Sequence, residues 1–387
     1  MKSLISLLLL SLFLLSCAGK EEKPTPAAFY FDDYEHLISN SKLGIVGNHT
    51  SMVGDVHLVD TLLGRGHTIA KIFGPEHGFW GAGNAGSRII DEKHPVHDID
   101  IISLYGKKKK PDSSDMDGID IMIFDIQDVG VRFYTYISTL QYVMEACAEN
   151  DVRLIVLDRP NPNGFYVDGP VLDTAHKSFV GLTPIPVVHG MTVGEYALML
   201  NGEGWLENGV ECDLEVIKCG NYSHDSYYNL LVPPSPNLPN MNSVYLYPSL
   251  CFFEGTVLSC GRGTDSPFQL FGHPEMPDRG FSFVPGPNEG SSDPRFNGVK
   301  CYGVDLRQAE VKGIVPAPRL QLNWIIDAYN DFPENEKFFN SYFTLLAGNE
   351  TLQDKIVSGM SEEEIRASWK KDLYKFRLTR DNYLLYE

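Results

Sequence analysis

The chain has 387 residues, with 35 Gly, 24 Pro, 43% apolar and 11% aromatic residues, which excludes a disordered, collagenous or disulfide-dense miniature protein. Lys plus Arg number 32 against 51 for Asp plus Glu, a formal charge of −19. No basic stripe reverses that sign, so nucleic acid is not an expected partner.

In chain order, Lys2 is followed by an almost uninterrupted apolar stretch from Leu4 to Leu15, too short for an ordinary spanning helix. Leu14-Leu15-Ser16-Cys17 then has the form of a bacterial lipobox. The expectation is a signal peptide over 1–16, lipidation of Cys17, and a charged, proline-bearing tether over 17–41. Such a protein is exported and anchored to a bacterial membrane by its lipid, facing the periplasm or the cell surface. The other six cysteines form no CxxC pair, which argues against a zinc ribbon, and nothing in their spacing selects a disulfide pattern.

From about residue 42 to 206, short apolar runs alternate with polar clusters and helical patterns. The runs are Leu43–Val46, Thr68–Phe73, Ile119–Phe124, Leu154–Leu157 and Ile185–Val188. Such continuous runs fit strands buried on both faces, hence a largely parallel sheet. Helical periodicity at Val56–Leu63, Tyr134–Ala148 and Thr192–Leu200 completes a doubly wound α/β domain. The lysines Lys107–Lys110 read as a solvated loop. Residues 207–387 read as a smaller α+β domain. It has a strand at Asp213–Lys218, a rigid loop at Pro233–Pro239, a loop-dominated stretch from Gly255 to Asn297 and three late helices.

In an open α/β sheet, ligands bind beyond the carboxyl ends of the strands. The residues there are Asn48, then Glu76 and His77, then Gln127, Asp128, Arg132, Tyr134 and Tyr136, then Asp158, Arg159 and Asn161, and finally His189. Carboxylates, amides and aromatic rings together suit a carbohydrate, which needs acid–base groups, hydroxyl partners and flat apolar faces. Glu76, in a Gly- and Pro-framed loop, is placed to act as general acid. From the second half, Glu254, Arg262 and Thr264 sit beside glycines, as if to face the first domain across a cleft. There is no GxSxG elbow and no phosphate-binding glycine loop. Glu76, His77, Asp128 and His189 lack metal-ligand spacing, so neither a metal nor another cofactor is expected.

The motifs GPEHGF at 74–79, FDIQDVGVRFYTY at 124–136, DRPNP at 158–162, HGMTVGE at 189–195, EGT at 254–256 and GRGT at 261–264 occur in an order that resembles one bacterial family. This is the family of NamZ-like exo-β-N-acetylmuramidases, glycoside hydrolase family 171. The resemblance spans roughly residues 42–387. It implies a Rossmann-like domain followed by a smaller one with the active site between them. It also implies hydrolysis of terminal, non-reducing β-1,4-linked N-acetylmuramic acid from peptidoglycan fragments. Arg132 and Arg262 are the candidates for the sugar's lactyl carboxylate. The partner of Glu76 is open between Glu254 and Asp128, acting on water or as nucleophile, with attack by the sugar's own N-acetyl oxygen a third route. The alternative is a non-catalytic glycan-binding surface lipoprotein, which needs no carboxyl pair.

Overall fold

The computed structural model describes residues 23–81, 83, 90–308 and 319–387. The signal peptide, Cys17 and most of the Gly81–Gly86 run therefore lie outside the described residues.

Seven strands form the main sheet: β1 (Lys42–Gly47), β2 (Thr68–Gly74), β3 (Glu92–Lys93), β4 (Asp100–Ser103), β5 (Ile121–Asp125), β6 (Arg153–Leu157) and β7 (Leu214–Ile217). Their order is β7-β6-β5-β1-β2-β4-β3. All neighbours are parallel except the edge strand β3, which runs antiparallel to β4. The chain moves outward from β1 through β2 to β4, then returns to the other side of β1 for β5, β6 and β7. This is the doubly wound order, with its switch point between β1 and β5.

Alternation along the strands divides the core in two. Leu43, Ile45, Ile72, Ile123, Ile155 and Ile217 face a layer that includes α1 (Phe31–Ile38) and α2 (Leu58–Gly64). Val46, Phe73, Phe124, Leu154 and Val156 face the opposite layer, with α3 (Tyr136–Glu149) and α4 (Val193–Gly202). Thr192 caps α4 through a reciprocal capping box with Glu195. The second layer is continuous with the core of the C-terminal half, which includes α5 (Met241–Leu250) and α6 (Glu362–Arg380). Among the described residues no helix is long and apolar enough to cross a membrane.

Several expectations need correction. Residues 27–38, read as tether, belong to the fold: Ala27, Ala28, Tyr34 and Ile38 are buried, and Ala27 N–H donates to the Asp158 carbonyl. A two-turn helix with two buried residues leaves little periodic signal. The sheet also runs past residue 206, since β7 pairs with β6. The run at 185–188 forms strand Pro186–Val188 outside the main sheet, antiparallel to Asp168–Val171. Within 255–297, Leu270–His273 and Ser282–Phe283 flank Cys301–Asp305 in a three-stranded sheet.

Candidate active site

A cavity of about 810 Å³ lies beyond the end of β2, where the two halves of the chain meet. Glu76 and His77 reach it from the turn after β2. His77 has φ +69° and Gly78 φ +77°, so the chain reverses through two left-handed residues, a costly arrangement for histidine. The turn presents the Glu76 carboxyl to the first turn of α3. There the hydroxyl of Thr135, the N-cap residue, donates to Glu76 Oε2 (2.6 Å) rather than capping its own helix. The positive end of α3 faces a carboxyl group.

His77 is itself fixed, with Nδ1 2.6 Å from the Gly83 carbonyl and Nε2 3.3 Å from Ser235 Oγ. Burial lowers its pKa, against the opposing pull of nearby Glu76. The ring is therefore a neutral hydrogen-bonding group near pH 7.

Tyr134 and Tyr136 form one wall, their rings edge to face at 4.8 Å. Both hydroxyls donate to the Pro234 carbonyl, at 2.9 and 3.2 Å, and burial raises the pKa of both phenols. These bonds hold the proline-rich loop across the cavity, where Ser235 and Asn237 line it. Asn237 Nδ2 in turn donates to the Gly290 carbonyl (2.8 Å), which places the 290–295 segment on the far wall. Tyr247 packs edge to face on Tyr134 and on Phe268, extending the aromatic surface.

The C-terminal half supplies the second carboxylate. Glu254 lies in the short helical turn Cys251–Gly255, and its Oε1 is 2.6 Å from Arg262 Nε. Gly255 has to be glycine, because a Cβ there would sit 2.4 Å from the Phe343 Cα. Gly263 has φ +79° and no room beside Pro294, which explains an arginine between two glycines. The Arg262 guanidinium rests over Phe268 at 4.9 Å.

Of the residues expected at the site, Glu76, His77, Tyr134, Tyr136, Glu254 and Arg262 line the cavity. The others do not. Arg132 is wholly buried and its two Nη atoms donate to the carbonyls of Pro170, Ile185 and Leu346. It therefore cannot read a substrate carboxylate. Asp128 is buried outside the cavity, with Oδ2 accepting from Gly130 N–H, so it is not placed to act on substrate or water there. Arg159 forms a buried bidentate pair with Asp125. Asp158 accepts from the Arg159 and Gly194 amides and from the Tyr386 hydroxyl. Gln127 and Asn161 donate to backbone carbonyls, and Asn48 donates to the Tyr136 hydroxyl. His189 is buried, which lowers its pKa to about 3. Thr264 closes its own turn onto the Gly261 carbonyl.

Sequence reasoning missed Lys109, Phe179, Asn237, Tyr247 and Arg295, all of which line the cavity. All but Tyr247, which lies in α5, come from loops, none carries a motif, and the stiff Pro233–Pro239 stretch was the one signal available. Away from the cavity, Asp60, His94 and His97 bring one ligand atom each within 4.8 Å of one another. There His97 Nε2 is engaged by Asp60 Oδ1 (2.8 Å), and His94 Nδ1 accepts from Val96 N–H.

Residues 43–242 match the family described as exo-β-N-acetylmuramidase NamZ, N-terminal, and residues 245–386 match its C-terminal counterpart. The chain belongs to the NamZ family. It is 38% identical to the peptidoglycan β-N-acetylmuramidase NamZ of Bacillus subtilis (strain 168), over 95% of this chain and 92% of that one. Two crystal structures of DUF1343 family proteins from Bacteroides fragilis NCTC 9343 share the fold. One superposes with a TM-score of 0.88 at 44% identity, covering 95% of this chain and 99% of that one. The other superposes at 0.80 and 26% identity, covering 94% and 99%.

Proposed function

We propose that this NamZ family member is an exo-β-N-acetylmuramidase, releasing terminal, non-reducing β-1,4-linked N-acetylmuramic acid from peptidoglycan fragments. The observation that carries the reading is the Glu76 carboxyl, fixed by Thr135 in an aromatic-walled cavity of sugar-binding size. In this reading Glu76 protonates the glycosidic oxygen as the bond to the leaving sugar breaks. Glu254 is the second carboxylate and faces the positive charge that develops at the anomeric carbon. Its pairing with Arg262 holds it in one orientation. Tyr134, Tyr136 and Tyr247 offer ring faces and edges to the sugar's C–H surface.

Incubation with the disaccharide N-acetylmuramyl-β-1,4-N-acetylglucosamine should release both free sugars in equal amounts, read by mass spectrometry. Binding without release would instead assign the cavity to a glycan-binding protein. The lipobox supports a second part of the proposal, an exported lipoprotein anchored to a bacterial membrane through Cys17. Cys17→Ser should lose acyl labelling and move to the soluble fraction. Membrane association that survives the change would count against the anchor.

A further inference from the structure

We propose that Lys109, held on the face of the Phe179 ring, reads the lactyl carboxylate of the terminal sugar. This rests on the muramidase reading of the cavity and adds the residue that tells N-acetylmuramic acid from N-acetylglucosamine. The two sugars differ at one oxygen, which carries a carboxylate-bearing ether in the first and a hydroxyl in the second.

The lysine run at 107–110 does not behave as one solvated patch. Lys108 Nζ meets Asp112 and Asp115 at 2.8 and 2.7 Å, and Lys110 Nζ meets Glu145 and Glu149 at 3.2 and 2.7 Å. Each is neutralised twice over. Lys109, between them, lines the cavity, and its ammonium lies 4.5 Å from the centre of the Phe179 ring. Among the described residues no carboxylate pairs with it. A ring face orients an ammonium without consuming its hydrogen bonds, so the N–H donors stay available to an anion.

Phe179 is braced for this task. It sits at the tip of a tight turn closed by reciprocal backbone bonds between Ser178 and Gly181, both 2.9 Å. Behind it, the Tyr142 ring lies nearly parallel, at 7° and 6.2 Å between centres. The other cavity cations already hold protein partners, although Arg262 keeps a buried Nη1 with none. Arg262 is paired with Glu254. Arg295 spends Nη1 on the carbonyls of Thr256 and Leu258. An acidic protein that binds an anionic sugar needs a local cation to offset its own field.

Calorimetric titration of the intact protein with N-acetylmuramic acid and with N-acetylglucosamine tests this without relying on turnover. Lys109→Gln should weaken the first sugar by roughly 10- to 100-fold, the scale of one hydrogen bond to a charged group, and leave the second nearly unchanged. Lys109→Arg should restore part of the loss, and Phe179→Leu should reproduce a smaller one. The proposal is overturned by equal losses on both sugars, by no loss on either, or by discrimination that disappears in Arg295→Gln instead. If the wild-type protein fails to cleave the disaccharide yet Lys109→Gln still erases the preference, the hydrolase reading falls and the carboxylate reader stands.

Discussion

The carboxyl edge of the sheet holds two regions that look alike in sequence and differ in use. Beyond β5 and β6, Asp125, Arg159, Asp158 and Gln127 satisfy one another and the local backbone in a buried lattice. The switch-point crevice between β1 and β5 is closed by the protein's own side chains. Asn48 donates to Tyr136, and Thr50 accepts from the Gln127 amide. Beyond β2 the turn instead opens into the cavity, and Glu76 meets groups brought from the other half of the chain. A polar strand end of this sheet is thus a site only where its partners come from outside the sheet.

Substitutions can break this contrast. The largest effect belongs to the open side: Glu76→Gln should cut turnover of the natural disaccharide by about 10²–10⁴-fold with unchanged melting. An activated aryl glycoside, whose leaving group needs less protonation, should recover part of the rate. Wild-type turnover in that variant would remove Glu76 from the acid role. On the closed side, Arg159→Met leaves Asp125 buried without its partner, and such breaks cost about 3–5 kcal/mol. Denaturant unfolding should show that loss, while activity per folded molecule persists. A variant that stays stable but goes inactive would move Arg159 to the chemistry.

The last test is a pH slope. Burial lifts the Asp128 carboxyl to about 7, against an unfolded value near ~3.9. Between those values the native state binds more protons than the unfolded chain, so this group makes stability fall as pH rises from about 4 to about 7. Asp128→Asn removes the contribution and should flatten the fall in melting temperature across that window. A slope that keeps its wild-type steepness would assign the titration to another group.

The doubly wound order was legible because β1, β2, β5 and β6 are short, largely apolar runs, with helix patterns between β1 and β2, between β5 and β6, and after β6. The short strands β3 and β4 were not, since Glu92–Lys93 and Asp100–Ser103 carry too few apolar residues to form a run. Glu76, Glu254 and Arg262 could be picked out because glycine and proline frame them. Arg132 could not be told from them, because a cation that braces three carbonyls and one that meets a ligand are spelled alike. Lys109 was hidden for the opposite reason: a run of lysines reads as one solvated patch, and nothing in it separates the residue that lines the cavity from the two paired with carboxylates.

The bond from Tyr386 to Asp158 joins positions 228 residues apart, and nearby Leu385 N–H donates to the Glu195 carboxylate that caps α4. Two buried carboxylates of the first half, each already held by local backbone amides, thus gain a further donor when the last segment of the described chain docks. The two halves are not interchangeable modules. A first half made by itself would leave Asp158 Oδ2 without its Tyr386 donor and Glu195 Oε1 without its Leu385 donor, so the chain has to bring both ends together before either half is finished. Shuffling halves between relatives would need the tail to travel with the sheet it completes.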